Sequence, residues 1–228
     1  MASRGSFSPS IFFIGSTFII IPTLFLIYGI AMHYGHEQPF PHCWISKVAQ
    51  HYPEYVFFRL ATISGAVLLI LGWISNYFYL LSVAQEKAYK LPLFQSEICT
   101  ILGITGSLFL MGSTANIDTG KMNTKWHTLC ASRFFLLTVI AQIYNTIICT
   151  IVQTNTRGLS EGNLVFKYGL IGLILLQLMV SVVKGFWDDF EGLDPNSKAQ
   201  FLEWTLTITV IMGFFSMGLD CKKWKFIY

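Results

Sequence analysis

Six apolar stretches, each long enough to cross a bilayer, constrain this chain more than any other feature. A hydrocarbon core of about 30 Å needs about 20 consecutive apolar residues in a helix. Such runs stand near residues 11–34, 55–81, 96–114, 127–152, 164–186 and 199–219. Runs such as FIIIPTLFLIYGI and LIGLILLQLMVSVV do not alternate apolar with polar residues, which excludes the pattern of a transmembrane barrel. Composition agrees: 54% of the 228 residues are hydrophobic and 12% are charged, against roughly 25% charged in soluble domains. The sequence predicts an all-α integral membrane protein, a single six-helix bundle over residues 1–228. The first stretch is too long for a signal peptide and no small-residue cleavage motif follows it, so it reads as a retained helix.

An even number of spans places both termini on one side. That side would carry Arg4, Lys87, Lys90, Arg157, Lys167, Lys222, Lys223 and Lys225, eight cations against five (Lys47, Lys121, Lys125, Lys184 and Lys198) on the other. The positive-inside bias then predicts cytosolic termini. The loops at 35–54, 116–125 and 187–198 would face the lumen or the outside, and all five histidines lie in or beside the first two of them. The tail CKKWKFIY reads as a stop-transfer flank with interfacial aromatics, or as an anionic-lipid contact with Cys221 open to palmitoylation. The five cysteines form no disulfide framework, since among them Cys43 alone stands clearly in a loop.

Four residues are out of place in hydrocarbon: Arg59, Arg133, His127 and Glu203. Within the predicted spans they lie no more than about 9 Å deep at 1.5 Å per residue, all from the non-cytosolic side. Charge facing lipid at depth is costly, which drives such groups toward a bundle interior or a polar cavity. Guanidinium groups bind phosphate bidentately, so a phospholipid head group is a sensible ligand for a pocket made of the four. Glu203 would orient an arginine or act with His127 as an acid–base pair. The alternative is snorkelling of the arginines to nearby head groups. Glu97, entering its span from the other side, suits a helix N-terminus. Gln142, Asn145 and Gln177 suit interhelical hydrogen bonds, and Gly103, Gly106 and Ser107 suit close helix approach.

His33, His36 and Glu37 are residue types that bind metal, but no H-E-x-x-H spacing supports them. No P-loop, nucleophile elbow or dinucleotide-binding glycine pattern stands in a supporting context. No metal, cofactor or nucleic acid is expected.

The order of short motifs resembles the Frag/DRAM/Sfk family of six-span membrane proteins, and within it the branch of the post-GPI-attachment lipid-remodelling factor. Ile45 and Ser46 match an Ile-Ser element of the first loop. Pro53, Glu54, Tyr55 and Phe57 match the step into the second helix, followed by Arg59. Glu97 matches a glutamate opening helix three, His127 lies near a histidine before helix four, and FLEWT places Glu203 at the start of helix six. Arg133 has no counterpart in the family, and Cys43 alone stands where Sfk-type relatives are cysteine-rich. The resemblance implies lipid handling: support of fatty-acid remodelling of GPI anchors, or binding of a phospholipid in the lumenal leaflet. The other role it implies is a non-enzymatic scaffold or adaptor subunit in a lipid-transport, autophagy or phosphoinositide-kinase complex. The expected location is the endomembrane system, Golgi or endoplasmic reticulum, with lysosome and plasma membrane as alternatives.

Overall fold

The computed structural model describes residues 6–86, 93–115, 117–118, 121–122, 124–156, 160–182, 195–223 and 226–227. Its helices are α1 (Ser10–Tyr34), α2 (Ile45–Val48), α3 (Glu54–Glu86), α4 (Leu93–Ala115), α5 (Thr124–Thr156), α6 (Glu161–Val182) and α7 (Pro195–Asp220), followed by a 3-10 turn at Cys221–Lys223. All except α2 are long and apolar enough to cross a membrane; five of them contain their expected spans, and α6 covers the fifth from its start to Val182, beyond which the span lies outside the described residues. The longest, α3 and α5, have 33 residues each and overrun their apolar stretches. Hydropathy marks the part of a helix in hydrocarbon, whereas backbone hydrogen bonding carries the helix on into polar flanks such as SVAQE. Two antiparallel pairs of two-residue strands lie outside the bundle: β1 (Ser6–Phe7) with β4 (Phe226–Ile227), and β2 (Ile117–Asp118) with β3 (Lys121–Met122). Of the cations weighed for orientation, Arg4, Lys87, Lys90, Arg157, Lys184 and Lys225 lie outside the described residues.

The face holding Ser10 and Asp220 is called proximal, and the face holding Tyr34, Glu54, Ala115 and Thr124 distal. α1 packs between α3 and α7, α4 between α3 and α5, and α6 lies mainly on α7. At the bundle centre Phe13 stacks on Phe214 at 6.1 Å, and Trp73 sets its edge against both. Gly103 makes that arrangement possible, because a Cβ there would overlap the Trp73 indole. The expected close approach of this helix is therefore real, with an aromatic ring as the occupant. Ser8 Oγ donates to the Cys221 carbonyl at 2.9 Å, joining the start of α1 to the end of α7. Cys221 itself is fully buried, so the expectation of an accessible palmitoylation site does not hold.

On the distal face α1 ends at Gly35, whose φ of 69° is in the left-handed region. The Gly35 N–H returns to Met32 O and the His36 N–H to Ala31 O, the pairing that closes a helix on a glycine. The chain is thereby turned back over the bundle, and α2 lies across the distal end of α7.

Candidate functional site

The site is assembled from α7 upward. Ser197 and Trp204, two turns apart, share a helix face, and both reach the first distal loop. Ser197 Oγ lies 2.5 Å from His42 Nδ1, and Trp204 Nε1 donates to Cys43 O at 3.0 Å. Between them along the chain, Glu203 accepts the Ile45 N–H at 2.9 Å and the Ser46 N–H. Those amides open α2 and have no partner within that helix. The two motif pairs Ile45–Ser46 and Glu203–Trp204, 158 residues apart between Ile45 and Glu203, are thus two halves of one clasp.

Beneath the clasp is a cavity. Ser46, Thr62, Ser113, His127, Glu203 and Thr207 supply its polar lining; the rest is apolar, from Ile20 and Leu24 through Phe134 and Phe135 to Leu69 and Phe214. Its volume is about 70 Å³, several times the roughly 10–15 Å³ that one water requires. A few polar groups set in otherwise apolar walls suit an amphiphile.

The arginines take no part in that lining. Arg59 Nη2 donates to Ala115 O at 3.0 Å and its Nε to Thr114 O at 3.5 Å, while His127 Nδ1 lies 2.9 Å from Ser113 O. The last three carbonyls of α4 are therefore capped by side chains from the helices on either side. A helix C-terminus carries partial negative charge, which accounts for a guanidinium and an imidazole gathering there. Since a carbonyl can only accept, His127 Nδ1 is the donor in this bond. Arg133 is exposed on the outer side of α5. Glu97 is also exposed, near the proximal end of α4, about 27 Å along the helix axis from Ala115. Of the five expected site residues, the structure brings His127 and Glu203 together on one cavity and directs the other three elsewhere.

A profile of the Frag1/DRAM/Sfk1/Cwh43P N-terminal domain matches residues 8–223, a span that includes all six crossing helices and the clasp. The chain belongs to that family. No curated protein and no solved structure matches it. Among the family-like positions, Ile45, Ser46, Glu203 and Trp204 are joined in the clasp, and Glu54 is engaged with His36 beside it. His36 Nδ1 stands 2.6 Å from Oε1 of Glu54, a carboxylate that is 0% exposed. The imidazoles of His36 and His51 stack at 4.7 Å, and Glu37 lies 4.0 Å from His51. Among the described residues no group of three or more His, Cys, Asp or Glu side chains is placed to hold a metal ion. Burial pushes the Cys43 thiol up from its ordinary range, and that of Cys221 likewise.

A further polar centre went unread in the sequence. Lys167, one of the cations assigned above to the side of the termini, and Asp220 are 3% and 4% exposed, with Nζ and Oδ2 2.5 Å apart. Lys167 also donates to Asn145 Oδ1 at 2.8 Å, and Asn163 to Asp220 Oδ1 at 2.6 Å. Because α6 begins at Glu161, Lys167 stands about 9 Å inside it, not on its flank. Asn145 makes the expected interhelical bond through this network, as Gln142 does to Val210 O at 2.8 Å. Gln177 Oε1 is buried without a partner, so the bond expected of that atom is not formed.

Proposed function

We propose that this member of the Frag1/DRAM/Sfk1/Cwh43P family handles lipid in the leaflet on its distal, lumenal side, with both termini cytosolic. On this reading the cavity receives an acyl-bearing lipid and serves fatty-acid remodelling of GPI anchors in the endomembrane system. The observation that supports it is the cavity lining: apolar walls in the bundle interior, with Glu203 and His127 among its polar groups. A phosphate seated beside Glu203 would meet a carboxylate with no arginine in the lining to offset it. The reading therefore sets ester and hydroxyl groups beside Glu203 and His127 and leaves phosphate outside the cavity, on the side where Arg133 is exposed. Thr62, Ser113 and Thr207 commit their hydroxyl protons to carbonyls of their own helices. None of the three is thus paired with His127 as an activated nucleophile, which favours holding a lipid over cleaving one.

The test is complementation in a host whose own family member has been deleted, with GPI-anchor fatty acids measured by mass spectrometry. Glu203→Ala should fail to restore the anchor composition, and Arg133→Ala should restore it. Normal anchors with Glu203→Ala, from protein at wild-type abundance and location, would refute this reading.

A further inference from the structure

Glu203 borders two hollows. One side lines the cavity under the clasp; the other faces a separate crevice between α6 and α7, walled by Gln177 and Leu178 of α6 and by Ala199, Leu202 and Leu206 of α7. The crevice has a volume of about 130 Å³. It reaches the outside of the bundle, since Leu178 in its wall is 44% exposed. Both of its helices cross the membrane, so what lies outside is bilayer. Inside it the buried Gln177 Oε1 accepts no hydrogen bond, an acceptor waiting for a donor in surroundings otherwise apolar apart from Glu203.

The packing of α6 bears on what this crevice does. Of the six spans α6 is the least covered, with 22% of its apolar window buried against 33–50% in the others. The side-chain polar ties described for it come from Asn163, Lys167 and Tyr168, all in its proximal first turns. Among the described residues α6 also packs along α7. The crevice stands at the end of α6 opposite the buried ion pair.

We propose that this crevice is the lateral entrance by which a lipid bearing an acyl chain and a hydroxyl or amide donor passes from the distal leaflet into the inner cavity. Gln177 Oε1 receives the lipid's donor group during passage. Glu203 is the partition, held shut by the Ile45 and Ser46 amides. The proposal rests on the lipid reading of the inner cavity.

The probe is a diazirine-bearing monoacylglycerol, added to the full chain in phosphatidylcholine nanodiscs. Photolysis at successive times is followed by mass spectrometry of the labelled peptides. Wild-type protein should accumulate label on peptides holding Phe134, Phe135 and Ile211. Ala199→Trp, at an exposed position, and Leu178→Trp, on the opposite wall, should each slow that accumulation by about tenfold, a barrier rise near 1.4 kcal/mol. The final level should be unchanged, since neither residue lines the inner cavity. Loading at the wild-type rate in both variants would overturn the entrance and leave the cavity reading intact. Absence of label from the cavity peptides in wild-type protein would overturn both.

Discussion

Replacing Lys167 with Met tests how α6 is held. The substitution removes the ammonium group 2.5 Å from Asp220 and keeps an unbranched apolar side chain in its place. Asp220 is then left with the Asn163 amide and the Cys149 thiol, at a site where both partners of the pair are less than 5% exposed. Solvent screening offers little relief at that burial, so the surface value of under about 1 kcal/mol does not apply. Removing one member of a buried pair costs about 3–5 kcal/mol. For a chain of this size that is a fall in Tm on the order of 10 °C. The measurement is thermal unfolding of purified protein in nanodiscs, wild type beside Lys167→Met and the double variant Lys167→Met/Asp220→Leu. The double variant should recover most of the loss, because replacing both charges with apolar groups is often neutral or stabilising. Two results would refute the reasoning: a single variant within about 2 °C of wild type, a change of no more than about 1 kcal/mol, or a double variant no more stable than the single one. The second would show that lost packing, and not a stranded carboxylate, sets the cost.

Other expectations concern the clasp, the core and the thiols. Trp204→Phe keeps the ring but strands the Cys43 carbonyl, which should lower stability by about 1–3 kcal/mol and speed protease cleavage in the 36–53 loop from the distal side. Gly103→Ala should destabilise by about 1–3 kcal/mol through overpacking against Trp73, read from the same unfolding curves. All five cysteines are free and buried, so maleimide at neutral pH should leave the native protein unmodified and add five labels after denaturation in detergent. Because burial raises the Cys43 thiol, its thiolate fraction stays small until the pH climbs beyond the ordinary thiol range. Native labelling of Cys43 should therefore lag behind that of a free thiol as the pH is raised.

The spans were legible because apolar length is a one-dimensional quantity, and each expected stretch lies within or close to an observed helix. Depth was legible too: Arg59, His127 and Glu203 do sit near the distal ends of their helices. Azimuth was not. Arg59 points to the carbonyls ending α4 and Arg133 points outward, a distinction set by which neighbours α3 and α5 acquire. Glu203 was identified from its cost in lipid, but its partners, the amides opening α2, are backbone groups that no side-chain pattern announces. Lys167 and Asp220 were hidden for a related reason. Each stands near the edge of an apolar run, where a charge that snorkels to the interface and one that is buried look the same, and only the packing of α6 on α7 separates them. The asparagines nearby were the signal available, since Asn163 and Asn145 have reason to sit in an apolar environment only if a strong partner awaits them.

The clasp has a consequence for assembly. Its acceptor and donors are contributed by the first distal loop and by α7, so the roof over the cavity is completed only when the sixth span enters the membrane. A chain halted before that point presents the Ile45 and Ser46 amides and the Cys43 carbonyl bare on the distal surface. Membrane quality control would then have a definite chemical mark by which to tell a finished molecule from an unfinished one.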